Sequence, residues 1–323
     1  MSRGPLYHPD YRPLFSGHET FPLRYGWLKK AFDAVLGATT KRHAADKSVF
    51  LDEDAIARFG VGKNMVASMR HWATCVSVIT EEQKTGNLIP APFGEFLFGE
   101  SAADPYLEDP ASLWHVHWLL CSGEPLRPLK TTWFWAFSHF NNTHFRRDDL
   151  VEGLLKLSEA RGWQRASRTT IQRDVECFVR MYEAHPSGGT GAVEENLESP
   201  LSELGLIRGH KGNFHLVRGA KPSLPDGLFA IALDSFWNRQ GSARTLSFEM
   251  IAHEPGSPGR VFLLDESELA GRLLALEDVT KGRFRWSETA GLKQVFREHP
   301  LKDAERANFI RRDYRDSKAR EAA

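Results

Sequence analysis

The sequence predicts a mainly α fold, a multi-unit helical protein with winged helix-turn-helix-like elements and short β-strands. Three observations carry that expectation. Apolar residues recur at helical spacing, most plainly Met65, Val66, Met69, Trp72, Ala73 and Val76, which fall on one face. Short helical patterns, glycine turns and brief strand-like runs follow one another in a repeated rhythm without a fixed period. A chain of 323 residues with 41% hydrophobic content is long enough for two or three domains with a real core. We expect an N-terminal arm and winged-helix-like unit over 1–100, a helical middle unit with a second helix-turn-helix-like element over 101–220, and a C-terminal helical unit with a basic tail over 221–323.

The first 14 residues, rich in Pro, Tyr and Arg, read as an arm without regular structure. A helix is expected from about Tyr25 to Leu36. Asp52 suits the N-cap of a short helix through Phe59, which Gly60 stops. A second helix follows from Gly62 to about Ile79, and two helices across a glycine-containing turn make the helix-turn-helix pattern. Asn87–Pro90 and Phe93–Leu97 read as a strand and the closing element of a winged helix. Beyond the turn-rich connector Asp104–Pro110, helices are expected over Ala111–Leu120, Asp148–Ala160 and Ser167–Tyr182, with an apolar stretch at Trp133–Phe140. Pro186–Pro200 is the best linker candidate. Leu201–Ile207 and Asn213–Val217 read as a short helix and a strand. The third unit, from Pro222, contains helices at Phe248–His253 and Leu269–Leu276, a turn at Pro255–Gly259, a strand or helix lead-in at Arg260–Phe262 and a strand or wing at Phe284–Trp286.

Lys plus Arg and Asp plus Glu balance at 42 each, so no global charge announces a nucleic-acid or membrane partner. The balance is local: residues 1–70 hold eleven basic residues against seven acidic ones, and Lys302–Arg320 seven against four. DNA binding needs a basic patch rather than a basic protein, so both ends stay candidates. Cys75, Cys121 and Cys177 lack zinc or redox spacing and read as buried free thiols of a reducing cytosol. No apolar run approaches the roughly 20 residues of a membrane span, and we expect a cytoplasmic protein.

The stretch Phe15–Lys30 concentrates chemically versatile side chains, with His18 next to Glu19 and Arg24 among aromatics. Two readings stand. A histidine and a carboxylate can share a metal ion or act as a general base, as phosphodiester hydrolysis requires; alternatively His18 hydrogen-bonds backbone and Glu19 caps or pairs with Arg24. On the helix after Gly62, Lys63, Arg70 and the helix N-terminus suit phosphates, and Asn64 suits adenine in a major groove. Arg168 and Arg173 lie where a recognition helix would meet DNA. The same faces also fit solvated sides of amphipathic helices. Asp104, Glu108 and Asp109 read as a capping turn or a magnesium site, and His115 and His117 as core histidines, since residues two apart on a helix point apart. Gly60-Val61-Gly62-Lys63 lacks the spacing and the Ser/Thr of a phosphate-binding loop, which excludes nucleotide hydrolysis there. No common nuclease motif is present.

Dispersed segments together resemble one bacterial family with a formerly uncharacterised domain. They are Ser16–Phe21 with Arg24 and Gly26-Trp27-Leu28, Gly60–Val66 with Trp72, Asp104–Asp109 with Leu113-Trp114 and His117-Trp118, Ser199-Pro200-Leu201 with Glu203–Ile207, and Ser257–Phe262 with Leu264-Asp265-Glu266. The resemblance spans about residues 15 to 298 and is specific as a combination. The family accompanies DNA phosphorothioation genes, and the resemblance extends to the DNA-nicking component of the Ssp-type single-strand system of phage defence. It implies double-stranded DNA as substrate and, as partners, a sulfurtransferase, an ATPase and a cysteine desulfurase. It also implies cutting one strand so that sulfur can replace a non-bridging phosphate oxygen.

From the residues themselves, the catalytic candidates are His18, Glu19 and Asp33, activating water with Mg or Mn as a divalent cofactor. Arg24 and Lys29 would offset charge on the phosphorus, and Lys30, Lys63, Asn64, Arg70, Arg168 and Arg173 would hold DNA. A non-catalytic module that recognises DNA and recruits the sulfur-transfer enzymes, and a transcriptional regulator of the cluster, are the alternatives.

Overall fold

The computed structural model describes residues 4–39, 45–123, 129–163, 166–184, 199–289 and 291–321. Over these residues the chain is mainly helical, with three small sheets.

The first part holds α1 (Trp27–Ala38), α2 (Ala55–Phe59) and α3 (Lys63–Cys75), then the hairpin of β1 (Ile79–Glu81) and β2 (Leu88–Pro90). Gly60, in the left-handed region at φ 66°, ends α2 as expected of a C-terminal glycine. The α3 helix stops at Cys75 rather than at Ile79, because Ser77 turns left-handed (φ 53°) and the β-branched run Val78-Ile79-Thr80 enters the hairpin. Ala45 bridges to Leu88, so β2 lies between that bridge and β1. Phe93–Leu97, expected as the closing element of a winged helix, lies inside α4 (Pro92–Phe98), which a proline at its first position starts and Gly99 ends.

The middle holds α5 (Pro110–Cys121), α6 (Thr131–Ser138), β3 (His144–Phe145), α7 (Arg147–Arg161), α8 (Arg168–Tyr182) and β4 (Glu183–Ala184), then β5 (Ile207–His210) and β6 (Asn213–Leu216). The sheet order is β3-β6-β5-β4. Pro200–Leu204 is a 3-10 turn capped by Ser199, so the helix expected at Leu201–Ile207 is tighter and shorter, and Ile207 opens β5. Residues 186–198 of the expected linker lie outside the described residues.

The last part holds α9 (Asp226–Arg239), β7 (Thr245–Ser247), α10 (Phe248–His253), α11 (Pro258–Val261), α12 (Glu266–Thr280), β8 (Phe284–Thr289), β9 (Leu292–Arg297) and α13 (Asp303–Glu321). Its sheet order is β7-β9-β8. The same succession therefore occurs three times: a helix, a short strand or bridge, further helices, and a hairpin whose second strand lies between that first strand and its own partner.

Buried apolar residues of all three parts form one contiguous cluster, with Trp72, Trp114, Trp118, Trp133 and Trp237 fully inside it. The three cysteines are buried and free, as expected, and burial raises each thiol. His117 is a core histidine, bonded through Nδ1 to the Tyr182 hydroxyl (2.9 Å) and through Nε2 to the Val261 carbonyl (2.8 Å). Asp104 accepts from the Glu108 and Asp109 backbone N–H groups and from Ser112, while Asp109 caps α5, so the acidic connector is a capping device. Among the described residues no helix is long and apolar enough to cross a membrane.

On α13, buried Asp313 accepts from the Gly227 N–H (3.1 Å) at the start of α9, and burial pushes its carboxyl up to about 7. A carboxyl more basic folded than unfolded holds a proton that the unfolded chain has lost. Its stabilising share is thus complete below the ordinary carboxylate range and falls as pH rises toward about 7. Asp313→Asn should flatten that slope and raise stability at pH 8 by on the order of 2 kcal/mol. Urea melts at pH 5 and pH 8 check this, and an unchanged slope in the variant would contradict it.

Candidate functional site

The loop from Phe15 to Arg24 is clamped between α3 and α8. On the α3 side, Ser68 Oγ and Trp72 Nε1 both donate to the Phe21 carbonyl (3.2 and 3.0 Å). On the α8 side, His18 Nε2 donates to Asp174 Oδ1 (2.8 Å) and an Arg180 Nη donates to the Thr20 carbonyl (3.5 Å). Lys130 Nζ joins the same carboxylate oxygen at 3.0 Å, and His18, Lys130 and Asp174 are all buried. Burial alone would raise the Asp174 carboxyl. The Lys130 ammonium and the His18 hydrogen bond outweigh it, so the carboxyl lies below its usual range. Lys130 also faces the Trp133 ring at 5.0 Å and Trp72 at 5.8 Å.

His18 Nδ1 accepts the Thr20 N–H at 3.0 Å, which leaves Nε2 as the nitrogen that donates to Asp174. Both ring nitrogens are engaged, and the backbone hydrogen bond named among the structural alternatives is present. The chain winds tightly to achieve this: Gly17 has φ 99°, and Glu19 and Thr20 both sit in the left-handed region at 47° and 67°. Two successive non-glycine residues there cost about 1–2 kcal/mol each. A Cβ on Gly17 would lie 2.5 Å from His71 Nδ1, so glycine is required on steric grounds as well. The clamp holds Glu19 exposed at the tip, where it makes no hydrogen bond or ion pair among the described residues.

Two guanidinium groups at this loop lie close enough to repel each other. Arg24 lies over Phe21 and Trp27, each at 5.6 Å, and burial followed by the nearby charge of Arg180 lowers it below the usual arginine value. Arg180 went unnoticed in the sequence, although it stands seven residues after Arg173 on the exposed side of α8. That side carries Arg168, Gln172, Arg173, Glu176 and Arg180. Arg168 pairs with Glu152 at 2.5 Å, whereas Arg173 is exposed and unpaired among the described residues. On α3, Lys63 and Asn64 are exposed at the N-terminus, and Arg70 pairs with Glu81 at 3.2 Å.

The structure does not gather every expected residue. Asp33 binds Lys29 at 2.7 Å along α1, and Lys30 donates to the Phe59 carbonyl at the end of α2 (3.0 Å). Nor does the donor set at the loop fit a divalent ion. Magnesium takes about six oxygen ligands, with one or two carboxylates. Here Lys130 already holds Asp174, and the described residues contain no group of three His, Cys, Asp or Glu suited to a metal.

Comparison with known proteins supplies the lineage. A solved structure of SspB is 28% identical with a TM-score of 0.79, covering 94% of this chain and 88% of that one. A magnesium ion-bound SspB structure matches with the same TM-score and coverage at 27% identity. No curated protein matches. The model of the family described as a protein of unknown function, DUF4007, matches residues 15–314, nearly the span over which the motifs resemble the phosphorothioation-cluster family. The chain belongs to the DUF4007 family.

Proposed function

We propose that this protein is the DNA-binding, nicking component of a DNA phosphorothioation system. The observation that carries the reading is the exposed Glu19, unpaired among the described residues. It is held on left-handed backbone in a loop clamped between two helices whose exposed sides offer cations; Arg24 belongs to the same loop, and Arg180 donates to the carbonyl of the next residue, Thr20. In this reading Glu19 takes a proton from water as its oxygen attacks phosphorus. The bond from phosphorus to the leaving sugar oxygen breaks, and that oxygen takes a proton from solvent. Arg24 and Arg180 stabilise the charge that builds on the phosphoryl oxygens. His18 is a positioning residue, because both its nitrogens are occupied. Asp33 and Lys29 neutralise one another outside the chemistry. The magnesium of an SspB neighbour makes that ion a necessary variable in the assay, and no step is routed through it.

The thrice-occurring succession supports reading each part as a winged helix and dividing the chain near 100 and 220. In the first two, α3 and α8 are the recognition helices and the β5–β6 hairpin is a basic wing, with Arg208, His210 and Lys211 exposed. Lys63→Ala with Arg173→Ala should weaken duplex binding about uniformly across sequences and lower the salt slope by about one for each phosphate contact removed. Fluorescence anisotropy from 50 to 200 mM salt measures this, and unchanged slopes would take the two helices out of the interface. A second reading, a non-catalytic recruiter of the sulfur-transfer enzymes, is favoured by the engaged His18 ring and by the lack of a metal donor set among the described residues. Plasmid nicking separates the two.

A further inference from the structure

The C-terminal part differs from the other two in its surface. α12, which follows its strand as α3 and α8 follow theirs, exposes Glu266, Glu277, Asp278 and Leu274. Its one arginine, Arg272, is tied to Asp226 (2.9 Å), Glu268 (2.9 Å) and the carbonyls of Lys221 and Leu224. A helix with that face repels a duplex backbone.

Cations of this part gather at the sheet and beside it. Phe296, on the central strand β9, is 37% exposed between buried Val295 and Arg297, so its ring stands on the outer face. Its cross-strand neighbours are Arg285 on β8 and Thr245 on β7. A hollow of about 420 Å³ beside the ring is lined by Arg244, Arg283, Arg285, Phe296, Arg297 and Glu298. It adjoins a groove of about 560 Å³ through the shared Arg283 and Glu298, and the groove adds Lys281, Arg312 and Arg315. Arg297 is committed to buried Asp234 at 2.7 Å. Arg283 reaches Glu305 at 2.6 Å and His299 at 2.8 Å, and Arg285 lies 3.9 Å from Glu298. Setting Arg297 aside, six cationic side chains face two carboxylates along this track.

An exposed aromatic ring on a sheet, flanked by arginines and continued by a cationic groove, suits an unpaired base with its phosphates. A duplex keeps its bases stacked and offers none to such a ring. We propose that the outer face of this sheet binds single-stranded DNA, one base on Phe296 and the adjoining phosphates on Arg244, Arg283 and Arg285. The groove toward Lys281 and Arg315 carries the strand onward. The proposal rests on the DNA-nicking reading for its ligand: a strand freed at a nick would be held here, away from α3 and α8.

The test is fluorescence anisotropy of the full chain with labelled oligo-dT of about 16 nucleotides, the upper site size of one such module, and with a blunt duplex of equal length. Phe296→Ala and Arg285→Ala, both at exposed positions, should each weaken oligo-dT binding about tenfold or more and leave duplex affinity unchanged. Phe296→Trp should restore it, which separates stacking from a folding defect. Arg173→Ala should show the reverse pattern. Wild-type affinity for oligo-dT in both variants, or equal losses on both DNAs, would overturn the proposal. Oligo-dT binding by a protein that does not nick plasmid would sink the nickase and leave this site standing.

Discussion

Asp174→Asn is expected to destabilise the folded protein by about 3–5 kcal/mol, the cost of leaving a buried ion without its partner. Asparagine still accepts from His18 Nε2, but it no longer carries the charge that fully buried Lys130 faces at 3.0 Å. The variant therefore isolates the Lys130 pairing. Because the Asp174 carboxyl is held below its usual range, its contribution is complete above that range and is lost as pH falls through the lowered value. The difference between wild type and variant should consequently narrow toward acid. Lys130→Met added to Asp174→Asn should recover part of the loss, since an apolar chain of similar length tolerates the site between Trp72 and Trp133. Urea melts at pH 7 decide the matter. A loss below about 1 kcal/mol would mean that the cluster does not anchor the loop, since a net contribution that small is typical of an exposed pair.

Glu19→Gln is expected to lower nicking by at least about 100-fold, the usual scale for removing a general base. Duplex affinity should change little, because Lys63, Arg173, Arg24 and Arg180 are untouched. Glutamine has nearly the same shape and tolerates the left-handed backbone no worse, so the loop should survive. Retained nicking would remove Glu19 from the chemistry. A fall in duplex affinity equal to the fall in nicking would make it a binding residue instead.

The helices were legible where their apolar faces were complete. In α3, Val66, Met69, Trp72 and Ala73 are buried as their spacing required, and the extension to Ile79 failed because Val76, Val78 and Ile79 continue a hydrophobic run through the turn beyond its end. Phe93–Leu97 left its secondary structure open, although Pro92 and Gly99 set the ends of a helix. Strands β8 and β9 stayed mostly hidden because their outer face carries Arg285, Ser287, Thr289 and Gln294, and the far end of their inner face carries the exposed pair Glu288 and Lys293, so no apolar alternation runs their length. The site was half legible. The loop announced itself through composition, but the partner of His18 is Asp174, 156 residues away, and no local pattern reports such a contact. Arg180 carried a weaker signal, the seven-residue spacing from Arg173 along one helix side.

The most direct measurement is the conversion of supercoiled plasmid to open circles by the purified chain, with and without added magnesium or manganese, alongside Glu19→Gln. Open circles are expected from the wild type and intact supercoils from the variant, at equal protein and equal DNA occupancy. Intact supercoils in every lane, with a gel shift still present, would contradict nicking and leave a DNA-recognition module.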